Sequence, residues 1–501
     1  MGEKYQKLVE HLREVQNIGD AGALLSWDQQ TQMPPGGAAA RASQLSTLAR
    51  IQHELFASDT TNDLLEAAAS EIEGADYDSD EASMIRVVRQ DYAEQVKVPA
   101  RLVAELASAT TLAHADWAKA REDNNFASFL PALERILDLS REQAEYLGYD
   151  DHPYDALLNQ YERGMTTAQV KAIFDGHKPG LVDLIAAISE NADRVSDDVL
   201  HQSYDIDKQR QFALDVVRQY GFDFERGRQD VAVHPFCTSF SCNDVRITTR
   251  FYPDFLNPAL FGMMHEAGHG MYEQGSAPEL DGTPLVGGTS LAVHESQSRL
   301  WENLVGRSRA FWSWALPQLK QVFPDQLGSV DLDAFYNAIN KVERSFIRVE
   351  ADEATYNLHI MLRFGLEVDL FEGKVKPADL PQEWNDRFEA LFGLRPPSDT
   401  LGVLQDVHWS MGLVGYFATY ALGNLLSVQY FNQAIKAHPL IPDEIVSGQF
   451  DTLHKWLTDN IYRHGRKFTA DELTRRITGE GIQSRDYLNY LQTKYGEIYG
   501  L

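Results

Sequence analysis

The five residues His265-Glu266-Ala267-Gly268-His269 constrain this chain more than any others, because they are chemically useful only on a helix. Residues four apart share a helix face, so His265 and His269 can each turn an imidazole nitrogen to one metal ion while Glu266 reaches the space beside it. A water held by zinc has its pKa pulled down toward ~7, and a neighbouring carboxylate can take its proton as it attacks a carbonyl. One turn of helix therefore carries most of a hydrolytic mechanism. The apolar run Phe251 to Met264 leading into it reads as the approach to a buried helix.

A hydrolytic zinc site takes a third protein ligand and leaves a further position open. The extended motif that supplies a third histidine needs glycine at 272 and histidine at 275, where this chain has Tyr272 and Gly275. A carboxylate is the remaining choice. His294-Glu295-Ser296-Gln297 opens a stretch with helical spacing (Leu291, Glu295, Arg299, Leu300, Leu304), at a separation from which a second helix can return to the metal. Glu295 is the expected third ligand. Spacing alone favours it only slightly over Glu302, two turns along the same face, or over the nearer Glu273 and Glu279.

In order along the chain, His265 to His269, His294 to Gln297, Ile347-Arg348-Val349-Glu350-Ala351-Asp352 and Gly402-Val403-Leu404-Gln405-Asp406-Val407-His408-Trp409 resemble the four signature blocks of the carboxypeptidase Taq family of metallocarboxypeptidases. Asp244 to Arg250 and Ser26-Trp27-Asp28-Gln29 are similar to it as well, so the resemblance spans nearly the whole chain. It implies a mainly α fold with a deep active-site groove and a divalent metal held by His265, His269 and Glu295. It also implies removal of residues from peptide C-termini by a homodimer. Cys237 and Cys242 are the least family-like residues, and they put nothing catalytic in doubt.

An enzyme that works from the C-terminus must read a free carboxylate, and the planar guanidinium fork suits that task. Arg348 is the first candidate; its structural alternative is an ion pair with Asp352, four residues along the same predicted helix. Arg246 and Arg250 alternate with Val245, Ile247 and Thr249, so a half-buried strand there would aim both guanidinium groups to one side, with Arg246 the second candidate. His408 follows Gln405 and Asp406 and suits the stabilisation of an oxyanion, with a phenol as partner. Tyr416 and Tyr420 lie one turn apart and spacing does not separate them; Tyr420 is slightly preferred.

Trp409 to Ile435 contains no charged residue, but its Ser, Thr, Asn, Gln and Gly content is too polar for a membrane span and predicts a buried central helix. Met1 to Val15 reads as an amphipathic helix (Tyr5, Leu8, Val9, Leu12) with mixed charge, which is not a secretory signal. Two cysteines in 501 residues make no disulfide framework, so both are expected as reduced thiols in a cytoplasmic protein. A net charge of −29 argues against a nucleic-acid partner, which needs a basic face.

No linker composition divides the chain, so one peptidase domain is expected over residues 1–501, with a helical lid region to about 230 and the metal-binding region beyond it. Strand signals concentrate between Val231 and Tyr252, predicting a small sheet near the metal-binding helix. Three functions fit these residues. The first is a broadly specific metallocarboxypeptidase with Glu266 as base and one divalent ion per subunit, zinc or alternatively cobalt. The second is an oligoendopeptidase using the same metal site. The third is a non-enzymatic binding protein, which the intact Glu266 disfavours, since structural zinc sites have no use for a base.

Overall fold

The computed structural model describes residues 2–501, so Met1 of the expected N-terminal helix lies outside the described residues. The expected mainly α architecture is present, with a single three-stranded sheet among the described residues. The chain forms two compact units, each drawn from three stretches. The first contains residues 1–96, 197–339 and 430–479; the second contains 97–196, 340–429 and 480–501. Both include residues from before and after 230.

In the first unit, the helix Glu3–Thr31 buries Tyr5, Leu8, Leu12 and Val15 at helical spacing. Tyr5, Leu8 and Leu12 join Leu65, Ala68, Met84 and Val88, and the same core takes in Leu280 and Leu285 from the loop beyond the metal-site motif. Strands β1 (Gly227–Val231), β2 (Cys237–Ser241) and β3 (Asp244–Thr249) form a sheet with β3 central, parallel to β1 and antiparallel to β2. Val245 and Ile247 are fully buried and alternate with Arg246, as the period of two predicts. A Cβ on Gly270 of the helix Asn257–Gln274 would lie 3.2 Å from Ile247 Cγ2, so that sheet face lies against the helix carrying the His265 motif.

That helix starts with Pro258 in its first turn, where the missing N–H costs nothing. A second helix, Leu291–Arg299, is capped by Ser290, whose Oγ accepts from the Val293 N–H at 3.1 Å. It runs on as a π-helical stretch, Leu300–Gly306, which widens the turn that carries Glu302. The two helices meet at Gly268. A Cβ there would lie 2.6 Å from the Gln297 carbonyl oxygen, so only glycine allows the backbones this close.

The second unit is built around the helix Tyr356–Phe371, in which all but two residues are buried. Its Glu367 accepts from Tyr154 Oη at 2.6 Å, Trp409 Nε1 at 2.8 Å and the Gly415 N–H at 3.1 Å. The uncharged stretch after Trp409 is not one helix from its start, as its composition suggested. Residues His408–Met411 form a single 3₁₀ turn, Gly412 and Gly415 take φ of 71° and 93°, and the helix begins at Ala418. Gly415 has no room for a side chain, since its Cβ would lie 2.8 Å from the Leu157 backbone. Among the described residues no helix is long and apolar enough to cross a membrane.

Candidate active site

His265, His269 and Glu295, all in the first unit, bring their ligand atoms within 4.8 Å of one another. Nε2 of His265 stands 3.6 Å and Nε2 of His269 3.5 Å from the same oxygen, Oε2 of Glu295. Those separations match the edges of a tetrahedron about a metal with bonds of ~2.1 Å, for which the edge is roughly 3.4 Å. The donor set of two imidazoles and one carboxylate fits a divalent metal of the zinc class.

The hydrogen bonds behind these atoms support that fit. Nδ1 of His265 lies 2.9 Å from Oε2 of Glu302, so it carries the proton and leaves Nε2 with a lone pair. Nδ1 of His269 lies 2.5 Å from Nδ1 of His294, whose Nε2 is 2.6 Å from Oε1 of Glu273. Arg299 reaches Oε1 of Glu295 at 2.7 Å and Oε2 of Glu302 at 3.2 Å. Burial would raise the Glu295 carboxyl, but Arg299 and the neighbouring imidazoles outweigh it and hold Glu295 well below the usual carboxylate range. Burial pushes His269 down to about 3, which favours the neutral, ligand-competent ring.

Glu302 and Glu273, the rivals of Glu295 on spacing, therefore face the outer side of the histidines. Glu302 backs His265 directly, and Glu273 backs His269 through His294. Sequence reasoning also passed over Arg299. The signals were present, as Glu273 stands one helical turn after His269 and Arg299 one turn after Glu295, but neither spacing says which partner a side chain meets in space.

Glu266 is buried on the same helix and has no hydrogen-bond partner among the described residues. Burial, reinforced by Glu295 and Glu302 against the opposing pull of His265, pushes its carboxyl up to about 7. Cys237 on β2 is a free thiol, raised well above the usual range by burial and by the nearby Glu266 and Glu273.

Arg246 points to the other face of the sheet. Its guanidinium lies 4.2 Å from the Trp27 ring centre and 4.9 Å from that of Phe240, and pairs with Asp244 at 3.0 Å. Its neighbour across the β1/β3 register, Arg228, also lies over Trp27. Arg250 follows the end of β3 and lies over Tyr252.

The second unit gathers the remaining candidates. Arg348 sits in a short 3₁₀ turn, not on a long helix, and its partner is not Asp352. Its Nε and Nη2 donate to Oδ1 of Asp406 at 3.0 and 2.8 Å, and its Nη1 to Tyr356 Oη at 2.9 Å. Asp352 instead accepts from the Ala354 and Thr355 N–H groups at 2.9 and 3.0 Å, which closes the local turn and removes it from reach. Arg363 donates to the other oxygen of Asp406 at 2.5 Å. Although burial raises it, Asp406 is held well below the usual range by these two cations. Nε2 of His408 lies 3.3 Å from Tyr420 Oη, Tyr420 lies under the Arg348 guanidinium, and burial pushes His408 down to about 4. Tyr416 lies edge-on to Tyr420 and to Tyr161.

Residues 7–495 match the family model described as carboxypeptidase Taq (M32) metallopeptidase. The chain is 42% identical to thermostable carboxypeptidase 1 of Thermus thermophilus, covering 99% of each, and 35% identical to thermostable carboxypeptidase 1 of Pyrococcus furiosus, covering 98% of each. It superposes on a crystal structure of an M32 carboxypeptidase from Deinococcus radiodurans with a TM-score of 0.97 and 42% identity, covering the whole of both chains.

Proposed function

As this chain belongs to the carboxypeptidase Taq (M32) family and is a metallocarboxypeptidase, we propose that it trims residues from the C-termini of short peptides with broad tolerance, using Glu266 as general base. The observation that carries this reading is the convergence of two imidazole Nε2 atoms and one carboxylate oxygen, with an unpartnered buried carboxyl on the residue next to His265. A divalent cation held by His265, His269 and Glu295, zinc in this proposal and cobalt as the alternative, supplies Lewis acidity to a peptide carbonyl and acidifies a water. Glu266, with no competing hydrogen bond, takes the water's proton and returns it to the departing amine.

Recognition of the substrate carboxylate is assigned to Arg348, on the strength of the sequence resemblance, and to Arg246, on its place in the strand, and stabilisation of the oxyanion to His408 and Tyr420, whose residue types suit that task. The two arginines differ in how firmly they are held. Arg246 pairs with Asp244, whose side chain is 44% exposed, and such a pair yields readily to a competing carboxylate. Arg348, itself buried, pairs with Asp406, whose side chain is 11% exposed, and yields less readily. Residues 1–501 are proposed to act as one peptidase domain, as a cytoplasmic homodimer with no nucleic-acid or membrane partner.

The test is mass spectrometry of one short peptide with a free or an amidated C-terminus, digested by zinc- or cobalt-loaded enzyme with a chelator control. Stepwise C-terminal loss from the free form alone, stopped by chelator, is the expected outcome. Internal fragments from both peptides would instead indicate an oligoendopeptidase and return both arginines to structural roles.

A further inference from the structure

Beyond the ligands and the base, we propose that His294 and Glu273 are positioning residues that set the tautomer and orientation of His269 for the metal. The inference rests on the reading of His265, His269 and Glu295 as the metal ligands. Its basis is a continuous hydrogen-bonded line in the first unit: Ser239 Oγ donates to Oε2 of Glu273 at 2.8 Å, Oε1 of Glu273 faces Nε2 of His294 at 2.6 Å, and Nδ1 of His294 faces Nδ1 of His269 at 2.5 Å.

The proton positions follow from which atoms can donate. Ionised Glu273 only accepts, so Nε2 of His294 carries the hydrogen. A neutral imidazole then has a bare Nδ1, which accepts from Nδ1–H of His269. His269 is left with its lone pair on Nε2, the atom 3.5 Å from Glu295. Were His294 replaced by a group that cannot accept, nothing would favour this tautomer over the one with hydrogen on Nε2, which binds no metal.

The surroundings fix the line in place. The His294 ring lies 5.1 Å from the Tyr272 ring, and a Cβ on Gly288 would lie 2.5 Å from His294 Cδ2, so the ring occupies a slot that only glycine leaves open. Gly287, at φ 88°, passes Glu273 less closely: a Cβ there would lie 3.3 Å from Oε2. The two metal histidines thus receive unlike support. His265 leans on a carboxylate anchored by Arg299 and Arg307, and His269 on the His294 imidazole, which in turn faces Glu273.

Zinc affinity, measured by competition with a chromogenic chelator, and the visible spectrum of the cobalt-loaded protein test this on His294→Ala, His294→Asn and Glu273→Gln. His294→Ala is expected to weaken zinc binding about 10- to 100-fold and to alter the cobalt spectrum, with the thermal midpoint of the metal-free protein close to that of the parent. His294→Asn sets an amide oxygen near the place of Nδ1 and is expected to recover most of the affinity, with Glu273→Gln intermediate. Parent-like zinc affinity and cobalt spectrum in His294→Ala would overturn the positioning role, as would a failure of His294→Asn to recover more than His294→Ala. A parent protein that binds no zinc would overturn the ligand assignment itself.

Discussion

Gly268 and Gln297 stand so close that a methyl group on Gly268 would lie 2.6 Å from the Gln297 carbonyl oxygen and 2.7 Å from Ser298 Cα. Both obstacles are backbone and cannot swing aside. This crossing brings the helix of Glu295 to the helix of His265 and His269, so the Glu295 carboxylate reaches the two imidazoles because one residue between the histidines has no side chain.

Gly268→Ala is therefore expected to push the two helices apart. Overpacking of this kind costs about 1–3 kcal/mol, and the separation also moves Glu295 away from the imidazoles. Calorimetry and a zinc titration on the same preparation check both effects; a variant with parent stability and parent zinc affinity would contradict the close-approach argument.

Glu266→Gln removes the proposed base while keeping the shape of the buried side chain. Turnover is expected to fall on the order of 10²–10⁴-fold, with metal content by elemental analysis equal to that of the parent, because Glu266 is not among the three converging donors. Loss of metal together with activity would assign Glu266 to binding the ion and not to proton transfer.

Arg348→Ala leaves Asp406 with Arg363 as its one strong cationic partner and opens a hole beneath Tyr356. Breaking a buried pair costs about 3–5 kcal/mol, and the remaining arginine places the expected loss at the lower end of that range. If Arg348 also reads the substrate, KM for a free-carboxylate peptide rises while the residual rate on an amidated one does not change. Arg246→Ala loses the contacts with Trp27 and Phe240 together with a pair whose partner is exposed, so its thermal midpoint is expected to fall by less than that of Arg348→Ala, and comparing the two variants separates recognition from stability.

Burial pushes the Glu367 carboxyl up to about 7, against the three hydrogen bonds it accepts. A group raised on folding binds its proton more tightly in the folded state, so its contribution is most favourable below the unfolded value of 4.5 and is lost as pH rises through about 7. A gap of this size corresponds to on the order of 3 kcal/mol. Chemical denaturation of the parent and of Glu367→Gln from pH 4.5 to 8 should show the parent losing stability relative to the variant up to about pH 7 and no further; a constant difference would show that Glu367 titrates normally.

The parts of the site that were legible beforehand are local. The helix of His265 and His269, the strand with Val245 and Ile247 turned inward, and the helix of Glu295 each follow from a repeat of 3.6 or 2 residues in a short window. The structural alternative weighed for Arg348 fails at the same level. The four-residue gap to Asp352 looked like a helical pair, whereas the chain forms a 3₁₀ turn there and the guanidinium finds Asp406, 58 residues further on. The uncharged stretch after Trp409 was misread because composition registers polarity but not the left-handed turns at Gly412 and Gly415.

By itself the sequence determined the types of donor atom and their spacing on one helical face, since the geometry of a helix turns a four-residue interval into a shared direction. Only the tertiary structure separates the carboxylates in space. Glu295, Glu302 and Glu273 are chemically equivalent in the sequence, and they part company because the crossing at Gly268 and the widened turn at Leu300–Gly306 bring each to a different side of the two histidines: one to the converging lone pairs, one behind His265, and one behind His269 through His294. A periodic pattern specifies a face, but which side chain meets which across that face depends on how closely two backbones approach.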